Sequence, residues 1–594
     1  MPIDRIFAGG EFLISPVSPE EVFTPEDFTD EHRMIYETAK DFVEKEVQPN
    51  IDALEEKNHD LVLKILSTAG ELGLISTDIP EEYGGLGLDK VSTTIVAEVM
   101  GTAGSFGVVY GAHTGIGTLP IVYFGNEEQK QKYLPKLASG EWCGAYCLTE
   151  PAAGTDALNA KTKAVLSDDG RNYILNGEKM FITNAGWASS FVLYAKVDGE
   201  AFTGFIVEKD FPGVSTGKEE KKMGAHGSST RPVILEDAKV PVENMLFEIG
   251  KGHKIAFNIL NIGRWKLGAS AVGGCKACIT EAVKYANGRF QFQVPISSFG
   301  MIKTKLANMA IRTYMCDSTM YRLAGMFDAK LGTLDSEAKK KGEENAKAIE
   351  EYAAECSITK VYGSECLDYC VDEYVQTLGG YGFCAEYPAE RYYRDSRINR
   401  IWEGTNEINR MLVPGTFMKR AFQGRLDLLS AAQAVAGEIL TYSPLSVELP
   451  DTPLALQEHM VKMSKKVALM AAGAAVQKLG ANLEKEQEIL ARIADMAIEI
   501  FAMESGLLRT LKIISKEGEE KAKYQIMAVK VYIDEMIPNI ELWARQILAH
   551  LEEGDNLRTQ LAGLKKLARY EPIDAIGIKR AVAERIIELE SYPF

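Results

Sequence analysis

The chain has 594 residues, with a formal charge of −18, 46% apolar residues and 25% charged ones. Single cores seldom grow that large, so several domains are expected, and the composition excludes a disordered or fibrous protein. The acidic balance argues against nucleic acid as a partner, and an anionic ligand would need a locally basic mouth.

Met1-Pro-Ile-Asp-Arg5 lacks the hydrophobic run of a signal peptide, and no apolar stretch reaches the roughly 18 to 20 residues of a membrane span. A cytoplasmic setting is expected. From about residue 26 to 140, apolar residues recur three and four apart over 31–47, 60–72, 92–100 and 127–137, which predicts helices. Pro80, Gly84-Gly85 and Gly115 to Gly117 are the breaks between them. Between about 144 and 248 the period shortens to two over 173–175, 180–183, 191–196, 205–207 and 232–235, which predicts short strands. Beyond Gly250 the helical period returns over 253–287, 297–328, 345–378 and 405–425, with links short enough for a bundle. The stretch 332–350, with Lys339-Lys340-Lys341 and Glu343-Glu344, reads as an exposed loop or helix end.

The expected fold is mainly α with a central β domain: an N-terminal helical domain (1–143), a small β domain (144–250), a helical bundle (251–428) and an additional helical domain (429–594). The last region looks like a degenerate half-copy of the bundle. Leu306-Ala-Asn-Met-Ala-Ile-Arg-Thr-Tyr314 with Ser318 resembles Ile493-Ala-Asp-Met-Ala-Ile-Glu-Ile-Phe501 with Ser505, and Lys360-Val-Tyr362 resembles Lys530-Val-Tyr532. Residues 456–483, with Lys462, Lys465, Lys466 and Lys478 among Ala, Met, Val and Leu, fit either a buried bundle helix or an interfacial one with peripheral membrane contact.

The nine cysteines are dispersed. Cys275 with Cys278, and Cys366 with Cys370, are close pairs, each at helical spacing with no histidine nearby. They read as buried thiols in a reducing compartment, with no metal site. P-loop, nucleophile-elbow, H-E-x-x-H and G-x-G-x-x-G patterns are absent, so no Rossmann turn holds a nucleotide here.

Chemistry concentrates in Arg400-Ile-Trp-Glu-Gly-Thr-Asn-Glu-Ile-Asn-Arg410. Glu403 sits between Trp402, which can shield it from water and raise its pKa, and Gly404, which lets backbone approach a ligand. Taken alone, the segment also reads as a helix start capped by Thr405 or Asn406, with Glu407 in the first turn. Upstream lies Gln376-Thr-Leu-Gly-Gly-Tyr-Gly-Phe383, followed by Glu390, Arg391, Arg394 and Asp395. Farther upstream stand Tyr146-Cys-Leu-Thr-Glu-Pro-Ala-Ala-Gly-Thr-Asp156 and Lys179-Met-Phe-Ile-Thr-Asn-Ala-Gly186.

Together, and in this order, these blocks resemble the signatures of the acyl-CoA dehydrogenase family over residues 30 to 425. The resemblance implies that fold and FAD-dependent α,β-dehydrogenation of fatty acyl-CoA thioesters in β-oxidation. Glu403 takes the α-proton, the flavin N5 takes the β-hydride, and the backbone N–H of the glutamate with a ribityl hydroxyl holds the thioester carbonyl. It assigns Tyr146, Cys147, Leu148, Thr149, Gly154 and Thr155, then Phe181, Ile182 and Thr183, to the flavin. Arg289, Gln291 and Phe292 match the R-x-Q-F segment that meets the FAD pyrophosphate across a subunit interface. Gln376, Leu378, Gly379 and Gly380 supply the complementary part, and Thr405, Asn406 and Glu407 the adenine-nucleotide side. Thr155, Arg264, Trp402 and Gly404 fall to the substrate. Gly263 stands where some branched-chain members carry their base, leaving Glu403 as the base candidate. Asn159, Gln293 and Ala185 depart from the family's smaller residues, and Phe181 replaces a frequent tryptophan. His113 reads as a packed or capping residue, and Lys221-Lys222-Met-Gly224 as a structural loop.

Cys147-Leu-Thr149, Lys221 to Gly224, Asn261-Ile-Gly-Arg264, Phe299-Gly300 and the extra helices look most like the very-long-chain branch. That branch implies a homodimer, a long-chain substrate and an electron-transfer flavoprotein as acceptor. The alternatives are an acyl-CoA oxidase using oxygen and a non-catalytic assembly factor on the same fold.

Overall fold

The computed structural model describes residues 5–594. The N-terminal helices begin where short polar side chains can cap them. Thr29 accepts from the His32 N–H to open Asp30–Phe42, Asn58 from Leu61 to open His59–Glu71, Asp89 from Ser92 to open Lys90–Met100, and Asn126 from Gln129 to open Glu127–Ala138. Gly115 to Gly117 do not end a helix outright. They lie in a π-helical turn, Ala112–Gly117, that leads into Leu119–Phe124.

The middle of the chain forms a sheet of eight strands: β1 (Gly144–Cys147), β2 (Lys163–Leu166), β3 (Asn172–Thr183), β4 (Ser190–Val197), β5 (Ala201–Glu208), β6 (Val214–Thr216), β7 (Thr230–Pro241) and β8 (Met245–Leu246). Their order is β6-β7-β3-β2-β4-β5-β8, with β1 beside β4. The β1–β4 and β2–β4 pairings are parallel. Residues 173–175 and 180–183, read as two strands, are one. Register shifts at Leu175/Gly177 and Lys179/Ile182 interrupt it, so the alternation of buried and exposed residues falters between them.

Beyond the sheet, long helices Gly252–Gly288, Gly300–Gly332, Ala353–Leu378 and Asn406–Phe422 pack together. Gly273 lies against the carbonyl of Glu98, where any Cβ would overlap, so the first of these helices can press onto Lys90–Met100. The segment read as one helix over 345–378 is two, Gly342–Glu350 and Ala353–Leu378. The charged stretch is also only partly solvated: Ser336–Lys340 is exposed or half-buried, whereas Ala346, Ala348 and Ile349 are buried. Ionic residues there mask an amphipathic turn.

The C-terminal helices Ala455–Leu479, Gln487–Glu517, Lys523–Leu551 and Ala575–Leu589 share one apolar core with the bundle. Of the two readings of 456–483, the buried bundle helix is the one its packing supports. Met460, Val461, Val467 and Ala471 are buried in that core, while Lys465 and Lys466 are committed to Glu504 and Glu438.

The segments matched in sequence meet each other in space. Arg322 pairs with Glu504 at 2.9 Å, and Arg509, its counterpart, pairs with Asp317 at 2.7 Å. Arg322 lies over the Phe501 ring at 4.6 Å and Arg509 over Tyr314 at 4.7 Å. The Tyr362 hydroxyl donates to that of Tyr532 at 2.7 Å. Such reciprocity is what a two-fold relation between similar surfaces produces. Arg509 is nearly inaccessible and also holds Glu26 at 2.8 Å, so it ties the N-terminal segment to both halves. Arg509→Leu is expected to lower unfolding stability by about 3 to 5 kcal/mol, because it strands buried carboxylates. Denaturant titration checks this; an unchanged midpoint would contradict it.

Candidate active site

N-terminal helices, sheet and bundle enclose a cavity of about 200 Å³ whose wall includes Met100, Gly111, Thr183, Gly263, Leu367 and Glu403. Its one lysine is neutralised: the Lys266 stem lines the wall, while its ammonium pairs with Asp78 at 2.7 Å. Asp78 also receives Lys90, and the two cations hold its carboxyl well below the usual range against the effect of burial.

Glu403 is the uncommitted charge. Its Oε2 is buried without a hydrogen-bond partner. Burial pushes the carboxyl up from its usual 4.5 to about 7, although Arg264 and Lys360 pull the other way. The backbone here is unusual, with φ of 56° at Glu403 and 79° at Gly404. A left-handed glutamate is costly and persists only where its surroundings over-determine it. The Glu403 carbonyl accepts from Arg264 Nε at 3.1 Å and Asn409 Nδ2 at 3.4 Å. The Gly404 carbonyl accepts from Lys360 Nζ at 2.8 Å and Asn409 Nδ2 at 2.7 Å. The Glu403 N–H donates to no group among the described residues. Gly263 is the close neighbour: a Cβ there would overlap Oε2 of Glu403.

Lys360 and Asn409 were not singled out as site residues. A lysine inside the run Cys356–Tyr362 was the available signal, since buried lysines need partners. Burial lowers its pKa to about 8, with Glu403 opposing. Arg264 is likewise lowered by burial, and its Nη1 donates to Asn261 at 2.8 Å.

The other expected site residues fall in several settings. Thr183, Trp402 and Glu403 line the cavity, and Trp402 Nε1 donates to Asn399 at 3.0 Å. Phe181 is 59% exposed, with φ of 59° beside the β3 irregularity, and Gly154 and Thr155 are exposed nearby in sequence to the buried Tyr146. By contrast, the side chains of Cys147, Leu148, Ile182 and Leu378 are buried in cores, so only their backbone could meet a ligand. The Tyr146 hydroxyl has no partner.

Arg289 lies over the Tyr381 ring at 5.4 Å, so the R-x-Q-F segment and the Gly379–Phe383 turn share one surface. Gln291, Phe292, Gln376, Gly379 and Gly380 are exposed there. Phe292 and Gln293 both have positive φ in a two-residue hairpin turn and hold Phe292 89% exposed. Thr405 caps Asn406–Phe422 by accepting from Ile408, and Glu407 is exposed in its first turn. Asn406 is a correction: it is buried, its Oδ1 accepts from Lys360 at 2.6 Å, and its Nδ2 donates to Ser364 and Glu365 at 3.0 Å. Its amide is spent inside the protein rather than on a nucleotide.

His113 is packed, with Nδ1 accepting from the Gly144 N–H and Nε2 at 3.0 Å from the Leu137 carbonyl; burial lowers its pKa to about 4. The loop at Gly224 is structural contact, with Ala225 N–H donating to Asp395 at 2.5 Å. The two cysteine pairs, distant in sequence, converge: Cys275, Cys366 and Cys370 place their sulfurs within 4.8 Å of one another. Burial pushes the Cys275 and Cys370 thiols up, keeping them protonated.

A desolvated, unpaired carboxylate opening on an apolar cavity is the equipment of an acid–base enzyme. Residues 29–141, 145–238 and 250–415 match the family descriptions "Acyl-CoA dehydrogenase, N-terminal domain", "middle domain" and "C-terminal domain", and residues 463–566 match a further C-terminal domain of that name. A "Probable acyl-CoA dehydrogenase" of Bacillus subtilis (strain 168) is 53% identical over 98% of this chain and 98% of its own. The mitochondrial very long-chain specific acyl-CoA dehydrogenase of Macaca fascicularis is 33% identical over 92% of this chain and 82% of its own. A Bacillus anthracis acyl-CoA dehydrogenase crystallised with FAD has a TM-score of 0.97 at 54% identity, covering 99% of this chain and 100% of that one. Butyryl-CoA dehydrogenase from Megasphaera elsdenii, at TM-score 0.59 and 35% identity, covers 66% of this chain and 99% of its own. This chain belongs to the acyl-CoA dehydrogenase family.

The raised Glu403 pKa has a stability consequence. Below pH 4.5 the carboxyl is protonated both folded and unfolded, and burial then costs nothing extra. Between about pH 4.5 and about 7 the unfolded chain releases this proton while the folded state keeps it, so stability falls, by about 3 kcal/mol in all, and levels off at higher pH once the folded state also carries the charge. Glu403→Gln should therefore match wild type near pH 4.5 and become the more stable of the two by pH 8. Thermal unfolding across that range checks the sign; a variant less stable than wild type at pH 8 would refute it.

Proposed function

We propose that the chain oxidises long-chain fatty acyl-CoA thioesters between Cα and Cβ, with Glu403 as the base. The observation that carries this reading is the buried, unpartnered Oε2 facing an apolar cavity. The exposed Phe181, Thr183 on the cavity wall, and the open Gly154-Thr155 segment leave an apolar shelf with hydroxyl donors, which fits FAD, the ligand of the Bacillus anthracis relative. Bound there, FAD supplies the acceptor for the hydride leaving Cβ, which no side chain can take.

The protein's part is to acidify and receive a proton. The free Glu403 N–H donates to the thioester carbonyl and stabilises the developing enolate oxygen. The carboxylate, with a pKa near 7, is ionised often enough to accept the α-proton and basic enough to hold it. The cavity's apolar wall excludes the water that would weaken both effects. The two electrons taken from the substrate go on to an electron-transfer flavoprotein. Eight of the nine cysteines are buried and all are unpaired, which suits a reducing, cytoplasmic setting. No described helix is long and apolar enough to cross a membrane.

The exposed Phe292 at the strained hairpin tip, beside Arg289 and Tyr381, suits burial against a second copy, so the working unit is a homodimer sharing its cofactor. The C-terminal half-copy then occupies the face that a further pair of subunits would otherwise cover.

Anaerobic addition of palmitoyl-CoA should bleach the flavin of the purified enzyme, and Glu403→Gln should keep its flavin yet slow bleaching by at least a thousandfold. Bleaching of that variant at the wild-type rate would refute the assignment; stoichiometric peroxide in air without an acceptor protein would replace it with an oxidase. Chain length has its own test. Gly111 lines the cavity, and a Cβ there meets nothing within 4 Å. Gly111→Leu should fold normally and shift preference toward shorter acyl groups, read as kcat/KM across a chain series; an unchanged profile would show that the acyl chain lies elsewhere.

A further inference from the structure

Glu403 and Gly404 form a strained pair, and the groups that hold their carbonyls are themselves held. Lys360 Nζ, which donates to the Gly404 carbonyl, also donates to Asn406 Oδ1 at 2.6 Å. Asn406 Nδ2 donates to Glu365 Oε1 at 3.0 Å. Glu365 receives a two-pronged contact from Arg410, Nη1 to Oε1 at 2.7 Å and Nη2 to Oε2 at 2.9 Å. The remaining guanidinium edge, Nε, donates at 2.7 Å to Asp495, on the C-terminal helix Gln487–Glu517. The path thus runs without a gap from the additional helical region to the carbonyl of Gly404, the residue next to the base.

We propose that Asp495 is a positioning residue for Glu403, acting through Arg410, Glu365, Asn406 and Lys360. Three features carry this. The Glu365 side chain is 42% exposed, so water screens its grip on Arg410, whereas the Asp495 side chain is 10% exposed and is the better shielded of the two anchors. Arg410 is planar, and occupying Nε together with both terminal nitrogens fixes its plane, which a single anchor would leave free to turn. Asn406 can orient Lys360 only if its own amide is oriented, and Glu365 and Ser364 set that orientation. Arg492, at 3.1 Å from the other Asp495 oxygen, fixes the aspartate in turn.

The C-terminal region, which holds no reacting group of its own, therefore takes part in the chemistry by keeping a costly backbone conformation in place. Displacing a reacting group by about 1 Å can cost on the order of a hundredfold in rate. Loss of one anchor at the far end of a five-residue path should cost less, roughly tenfold.

This inference rests on Glu403 being the base, and the experiment separates the two. Asp495→Asn keeps shape and removes charge. In the FAD-loaded full-length enzyme, single-turnover bleaching by saturating palmitoyl-CoA should slow about tenfold, with flavin content, half-saturating substrate concentration and melting temperature close to wild type. Asp495→Glu should recover most of the rate. Asp555→Asn, which removes an exposed ion pair of the same region, should leave it unchanged. Wild-type bleaching by Asp495→Asn overturns the proposal, as does slowing matched by loss of flavin or of melting temperature, which marks a merely structural residue. Glu403→Gln is run alongside. If it stays unbleached while Asp495→Asn behaves as wild type, only the positioning role falls; if it bleaches normally, the reading of the base itself falls.

Discussion

The organisation of this protein turns on one desolvated carboxylate. In water a glutamate is ionised, hydrated and a feeble base; burial of Glu403 Oε2 without a partner raises its proton affinity by two to three powers of ten. The same burial is unfavourable, and so is the left-handed backbone that aims the side chain. Neither would survive alone. Arg264, Lys360 and Asn409 hold the two carbonyls of the loop, and they do so from helices whose own places are fixed by the bundle. Gly263 completes the arrangement by being small: the carboxylate occupies the volume that a side chain there would fill.

Ionic groups recur through the interior, and many are paired, though Glu355 keeps one buried oxygen without a partner. Asp78 sits between Lys90 and Lys266, while Asp317 and Glu504 meet Arg509 and Arg322. Such pairs add little net stability over apolar packing but make wrong dockings expensive. At the junction of bundle and C-terminal helices they define one register. Glu403 is the contrast: it has cations near enough to moderate its pKa, yet no direct partner for Oε2. Unlike Glu355, it also lines the cavity, where a ligand can reach it.

The sequence made much of this legible, for physical reasons. Helices capped by Thr29, Asn58, Asp89 and Asn126, and the long periodic segments beyond Gly250, announce themselves through local chemistry. Glu403 was visible because its neighbours Trp402 and Gly404 are informative, and Thr183 because it lies in a recognisable block. What was hidden depends on distance or on interruption. β3 looked like two strands because register shifts break its alternation, and the 332–350 charges concealed a buried turn. Asn406 looked like a cofactor ligand, since nothing local reveals that Lys360, Ser364 and Glu365 consume its amide. Convergence of Cys275 with Cys366 and Cys370, and the contact of Asp495 with Arg410, are properties of packing alone.

The most direct measurement isolates the proton from the hydride. An acyl-CoA in which sulfur replaces the β-carbon has α-protons but no β-hydride to lose, so only the base can act on it. Followed by NMR in heavy water, the FAD-loaded enzyme should exchange those α-protons for deuterium, and Glu403→Gln with equal flavin content should not. Exchange at equal rates in the two proteins would show that another group takes the proton and would contradict the account at its centre.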